Sequence, residues 1–166
     1  MAQAEILDLR LFKAKKLVED GKFHISQGDL DTAVDALQKS VETSETAEGL
    51  TYLGWVLSLK GQVDQAIDLC KRAVNVDPTY GNPYNDIGSY LIYKNQLEEA
   101  IPWLEQAKTK VNYEPKHFPY INLGRVYSVL GRIDEAIHEF RTALTLVPHH
   151  KEVEKVLEQL ENLKKS

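Results

Sequence analysis

Cysteine is almost absent from this chain of 166 residues: Cys70 stands alone, so no disulfide can form within it. No apolar run approaches the ~18–20 residues that a membrane span needs. Charge of one sign is also scarce. Lys and Arg number 20 against 25 Asp and Glu, a formal net charge of −5. The basic residues are scattered, with no patch or aromatic–basic motif of a nucleic-acid binder. Neither a nucleic acid nor a membrane is therefore expected as partner. Charges begin at Glu5 without a signal-peptide layout, which leads to the expectation of a cytoplasmic protein.

The signatures of chemistry are missing too. There is no phosphate-binding glycine loop, nucleotide fingerprint, nucleophile elbow or paired-cysteine zinc motif. His24, His117 and His138 fall in separate elements. The adjacent His149 and His150 would point to different sides of a helix, which suits capping better than metal binding. Glu98-Glu99 and Asp134-Glu135 fall at helix starts, where the positive end of the dipole favours acids. No base is evident near Cys70, which reads as a small buried apolar residue. The expectation is no enzyme, no cofactor and no metal.

What the chain does have is a period. Residues 47–80 form a unit of about 34 residues that the remainder repeats. Gly54, Gly61, Ala66, Ala73 and Pro78 reappear with every spacing preserved as Gly124, Gly131, Ala136, Ala143 and Pro148. Weaker copies carry Gly88, Ala100 and Ala107, and Gly21, Gly28 and Ala33. Within the unit, Leu50, Leu53 and Leu57 make one helical stripe, which Gly61 ends. Ala66, Ile67, Cys70, Ala73 and Val74 make a second, which Pro78 closes. Gly54 and Ala66 would let the two helices approach closely. An apolar–acidic pair opens the second helix of every copy: Leu30-Asp31, Val63-Asp64, Leu97-Glu98 and Ile133-Asp134.

This pattern resembles the tetratricopeptide repeat. Leu53-Gly54, Leu57, Ala66, Cys70, Ala73 and Pro78 occupy the family's places, as do Tyr120, Leu123-Gly124, Tyr127, Ala136, Phe140, Ala143 and Pro148. The resemblance spans roughly residues 14 to 150. It implies an all-α fold: a right-handed superhelical solenoid of antiparallel helix pairs whose first helices line a concave groove.

The chain is then read as a single domain with four repeats, near 14–46, 47–80, 81–116 and 117–150. An N-terminal extension at 4–13 continues into the first repeat as one long helix, and a capping helix covers 150–165. Ile6, Leu7, Leu9, Leu11 and Phe12 make the extension unusually apolar. Two readings stand: extra turns that cover the end of the first repeat, or an association surface. Repeat one is degenerate, with Asp20 and Ser40 in apolar or Ala columns. In repeat three, Asn82-Pro83 is expected to cap and open a helix, with Asn as the cap and Pro in the first position. Asn95 replaces the mid-unit glycine. Pro102 is expected to fall among the unpaired first amides of its helix. The segment 108–115 is longer than standard, so an extended helix or a bulged loop is expected there.

Function is expected in the groove. Helical spacing places Lys15, Glu19 and Lys22 of repeat one on the concave face. Repeat two adds Glu48, Thr51, Tyr52, Trp55 and Ser58; repeat three Asn82, Asn85, Asp86, Ser89 and Ile92; repeat four Phe118, Ile121, Asn122, Arg125 and Ser128; the last helix Lys155. The candidate peptide-binding residues are Tyr52, Trp55, Asn82, Asn85, Ser89, Phe118, Asn122 and Arg125. Trp55 is a hot-spot residue type off the core stripe, unless it packs on Tyr52 or Ile92. Asn85 and Asn122 could bond a peptide backbone, and Arg125 a carboxylate. The Lys/Asn clamp with which some co-chaperones of this family hold acidic heat-shock C-termini is not matched in either register, and Asp86 would repel a carboxylate. The expected role is a non-catalytic module that binds a partner protein or peptide: an adaptor, co-chaperone or assembly factor. The alternative is a self-associating scaffold, a homo-oligomer built through the apolar N-terminal helix or by end-to-end stacking.

Overall fold

The computed structural model describes residues 3–165, which form nine helices. Four antiparallel pairs follow one another: α1 (Gln3–Ser26) with α2 (Leu30–Thr43), α3 (Ala47–Leu59) with α4 (Val63–Val76), α5 (Asn82–Tyr93) with α6 (Leu97–Thr109), and α7 (Phe118–Val129) with α8 (Ile133–Leu146). The last helix, α9 (Lys151–Lys165), lies on α8. Each first helix also touches the next first helix, α1 to α3, α3 to α5 and α5 to α7. The result is an all-α solenoid.

The pairs lock by a repeated knob and notch. The mid-helix residues Gly21, Gly54, Gly88 and Gly124 face Leu37, Cys70, Leu104 and Phe140 of the partner helices. A Cβ on Gly124 would lie 2.7 Å from the Phe140 ring, and one on Gly54 would lie 3.1 Å from the Ala66 carbonyl. The four facing side chains are among the most deeply buried in the chain. This explains Cys70: it fills the same notch as a leucine or phenylalanine elsewhere, and burial pushes its thiol well above the ordinary range. The turns inside the pairs need left-handed backbone. Gly61 supplies it at φ 81°, and Asn95 at φ 59° in repeat three.

Several local expectations change. Ser40 is fully buried in its Ala column, and its hydroxyl donates to the Ala14 carbonyl at 2.8 Å, so the pairing of α1 with α2 satisfies it. Asn82 is not a cap. It is the first residue of α5, behind Gly81, with Pro83 next, and its side-chain amide reaches the Glu114 carbonyl at 3.5 Å. Pro102 lies deeper in its helix than expected. The Ala100 amide already bonds the Gln96 carbonyl, so Pro102 removes one bond that an amide there would make to Glu98. The run 3–10 does not cover the first repeat. Ile6, Leu7, Leu9 and Phe12 stay exposed, because α2 ends at Thr43, level with Arg10.

The acidic residues at the starts of the second helices do more than match the dipole. Asp31 pairs with Lys60, Asp64 with Lys94 and Asp134 with Lys164, each linking one unit to the next. Leu130 stands where a fourth lysine would meet Glu98. These pairs are exposed, so each contributes at most about 1 kcal/mol.

Candidate functional site

The first helices α3, α5 and α7 leave a groove of about 490 Å³ between them. All eight candidate residues line it: Tyr52 and Trp55 from α3, Asn82, Asn85 and Ser89 from α5, Phe118, Asn122 and Arg125 from α7. Thr51 and Asp86 line it as well. Trp55 is held by an edge-on contact with Tyr52, ring centroids 5.9 Å apart, yet remains 40% exposed. Half of the packing alternative for Trp55 therefore holds, and a broad indole face still looks into the groove.

Other concave-face residues go elsewhere. Lys22 bridges Glu19 and Glu48, both at 2.7 Å, and lies over the Tyr52 ring at 4.6 Å. Burial works against its charge, but the two carboxylates outweigh burial and hold the ammonium above its ordinary range. This network buttresses Tyr52 from behind. Lys15 and Glu48 line a neighbouring hollow with Tyr80. Ile121 is a correction: at 3% exposure it belongs to the core, and Ile92 also packs against the core. Ser58, Ser128 and Lys155 are not in the groove; Ser128 donates back to the Gly124 carbonyl at 2.7 Å.

The two asparagines do not wait free. Asn122 donates its amide to the Asn85 side-chain carbonyl at 3.1 Å, tying repeat four to repeat three across the groove floor. Asn85 is buried. The bond consumes one donor and one acceptor, so each side chain keeps only part of its capacity for a ligand.

Three groove residues were not visible in the sequence: Tyr80, Tyr113 and Pro115. They come from the connections after α4 and α6. The Gly81 amide donates to the Asn112 carbonyl at 2.9 Å, Tyr80 pairs with Asn112 in a short parallel bridge, and the Asn112 amide reaches the Thr79 hydroxyl at 3.2 Å. The long connection 110–117 is thus a loop stitched onto the preceding one, which carries Tyr113 into the groove wall. Gly81 permits it, since a Cβ there would lie 2.3 Å from the Tyr113 Cβ. The extra length of that segment was the one signal available in advance.

Asp86 is the electrostatic centre of the groove. Asp86 sits half-buried on α5. Burial pushes it up to about 7 from an ordinary 3.8, only partly offset by a hydrogen bond from Asn85. The titratable groups that sense it are Cys70 on α4, Tyr80 in the loop beyond, Tyr90 on α5 itself and Tyr113 in the following loop. All of them are pushed upward and are neutral near pH 7. Among the described residues no lysine, arginine or histidine pairs with Asp86, and no acid pairs with Arg125. The groove thus carries one basic and one acidic side chain, Arg125 and Asp86, that do not pair with each other, the acid being only partly ionised near pH 7.

With this geometry in view, the comparisons with known proteins decide the family. Tetratricopeptide repeat models match residues 13–83, 82–109 and 117–150. The chain is a tetratricopeptide-repeat protein. Among curated relatives, it is 31% identical over 113 residues to anaphase-promoting complex subunit 3 of Dictyostelium discoideum, covering 66% of this chain and 11% of that protein. It is also 31% identical over 95 residues to small glutamine-rich tetratricopeptide repeat-containing protein 2 of Mycosarcoma maydis, covering 57% of this chain and 27% of the relative. The chain therefore spans only a small part of either relative. Among solved structures, Pseudomonas aeruginosa pilF superposes with a TM-score of 0.88 at 20% identity, over 94% of this chain and 71% of that one. YrrB, described as a TPR protein with an unusual peptide-binding site, superposes with a TM-score of 0.70 at 18% identity, over 87% and 74%. The tetratricopeptide array is a protein-binding scaffold. No described helix is long and apolar enough to cross a membrane, and no described group of three or more His, Cys, Asp or Glu is placed to hold a metal.

Proposed function

We propose that this tetratricopeptide-repeat protein is a non-catalytic adaptor, co-chaperone or assembly factor that holds an extended or helical peptide of a partner protein in the groove between α3, α5 and α7, and that it works in the cytoplasm. One observation carries the reading. The eight candidate residues line one open groove with a half-exposed Trp55 and an unpaired Arg125. A Trp braced from behind costs little to order on binding and offers a large contact area. Arg125 has its full set of donors available for a carboxylate or backbone carbonyls. YrrB supports the reading by analogy, as a protein of the same fold described with a peptide-binding site.

The test is capture of partners from source-cell lysate by the intact chain beside the double variant Trp55→Ala, Arg125→Ala, with bound proteins identified by mass spectrometry. The reading expects specific proteins to be captured by the first and lost by the second, with helicity unchanged. Capture that ignores the variant would move the site out of the groove. A second reading, self-association, is supported by the exposed Ile6, Leu7, Leu9 and Phe12 of α1. Light scattering across a dilution series separates the two, since a monomer at every concentration disposes of self-association.

A further inference from the structure

The charge in the groove selects the occupant. Asp86 lines the groove together with the aromatic residues Tyr52, Trp55, Tyr80 and Tyr113. Among the described residues no cation pairs with it. Tyr113, 4% exposed, closes the groove wall and senses the Asp86 charge.

We propose that this pocket is the anchoring subsite for a basic side chain, lysine or arginine, of the bound peptide, with Asp86 as counter-ion and Trp55 and Tyr52 as the aromatic faces. The chemistry matches on each count. A cation over aromatic faces gains from the ring quadrupole, and more so where water is excluded. A lone carboxylate in a recess is satisfied by a donor that also carries positive charge. The net charge of −5 attracts a basic partner at longer range. Burial raises Asp86, and an arriving cation would reverse part of that rise by favouring the ionised form. Anionic ligands are disfavoured at the same spot.

This inference rests on the groove reading above, and its test separates the two. The probes are three blocked Gly/Ser peptides that differ only at the central residue: lysine, norleucine or glutamate. The readout is the indole N–H resonance of Trp55 in the labelled full chain, with Trp103 on α6 as internal control. The lysine peptide is expected to bind at least ~10-fold more tightly than the norleucine peptide, with glutamate weakest. Asp86→Asn is expected to abolish that preference while circular dichroism stays unchanged. Equal binding of the three peptides, a preference retained by Asp86→Asn, or no Trp55 response up to ~10 mM would each overturn the basic anchor. Loss of partner capture by the Trp55/Arg125 variant, observed together with any of those results, would leave the groove reading standing without the anchor. Capture that ignores that variant would remove both.

Discussion

Replacing Asp86 by Asn tests the electrostatics of the groove without any ligand. The carboxyl rises from an ordinary 3.8 to about 7 in the folded chain because it is withdrawn from water. Between those values the folded state keeps a proton that the unfolded state has released. Stability is therefore unaffected by Asp86 below about pH 4, declines as pH rises through the window, and carries the full penalty above about pH 7. A displacement of about three pH units, at about 1.4 kcal/mol each, sets a ceiling near ~4 kcal/mol. Asp86 as a residue is only half-buried, so about 1–3 kcal/mol is the expected penalty. Asp86→Asn should remove it. Urea unfolding followed by circular dichroism, at about pH 4 and about pH 8, would show the variant more stable than the parent at the higher pH and close to it at the lower. The neighbouring Tyr80, Tyr90, Tyr113 and Cys70, all pushed upward, stay neutral across this range, so the difference between the two proteins isolates Asp86. An equal gain at both pH values, or a loss at the higher, would refute the reasoning. If the basic-anchor assignment is right, the same variant is more stable and less selective, a trade of stability for function.

Three further outcomes follow from packing. Gly81→Ala forces a Cβ to within 2.3 Å of Tyr113, so it should cost about 1–3 kcal/mol and free the 110–117 loop, read as faster amide exchange there. Lys108 bonds the buried Glu139 at 2.9 Å, and the second Glu139 oxygen has no partner among the described residues; Lys108→Ala should cost about 2–3 kcal/mol in urea unfolding, and adding Glu139→Gln should restore most of it. Gly124→Ala gains about 1 kcal/mol of helix propensity but drives a methyl into the Phe140 ring, for a net loss of about 1–2 kcal/mol and a lower Tm.

The sequence by itself determined the repeating part of this protein. Helical stripes, the glycine opposite its knob, the turn at Gly61 and the proline after α4 depend on residues a few positions apart in one unit, so spacing alone reports them. The concave register of Tyr52, Trp55 and Arg125 was legible for the same reason: once one face of a helix is core, the opposite face is known. Ile121 was misplaced because a helix packed against two neighbours buries a wider arc than a single stripe suggests. Only the tertiary structure decided the rest. The Tyr113 loop is fastened by contacts with residues 79–82, some thirty positions earlier in the chain. The Asn85–Asn122 bond and the isolation of Asp86 depend on where adjacent repeats bring their side chains. Whether the apolar start of α1 covers its own repeat or projects depends on where α2 ends. Local spacing carries no information about any of these, because each is settled by which distant groups arrive at the same place.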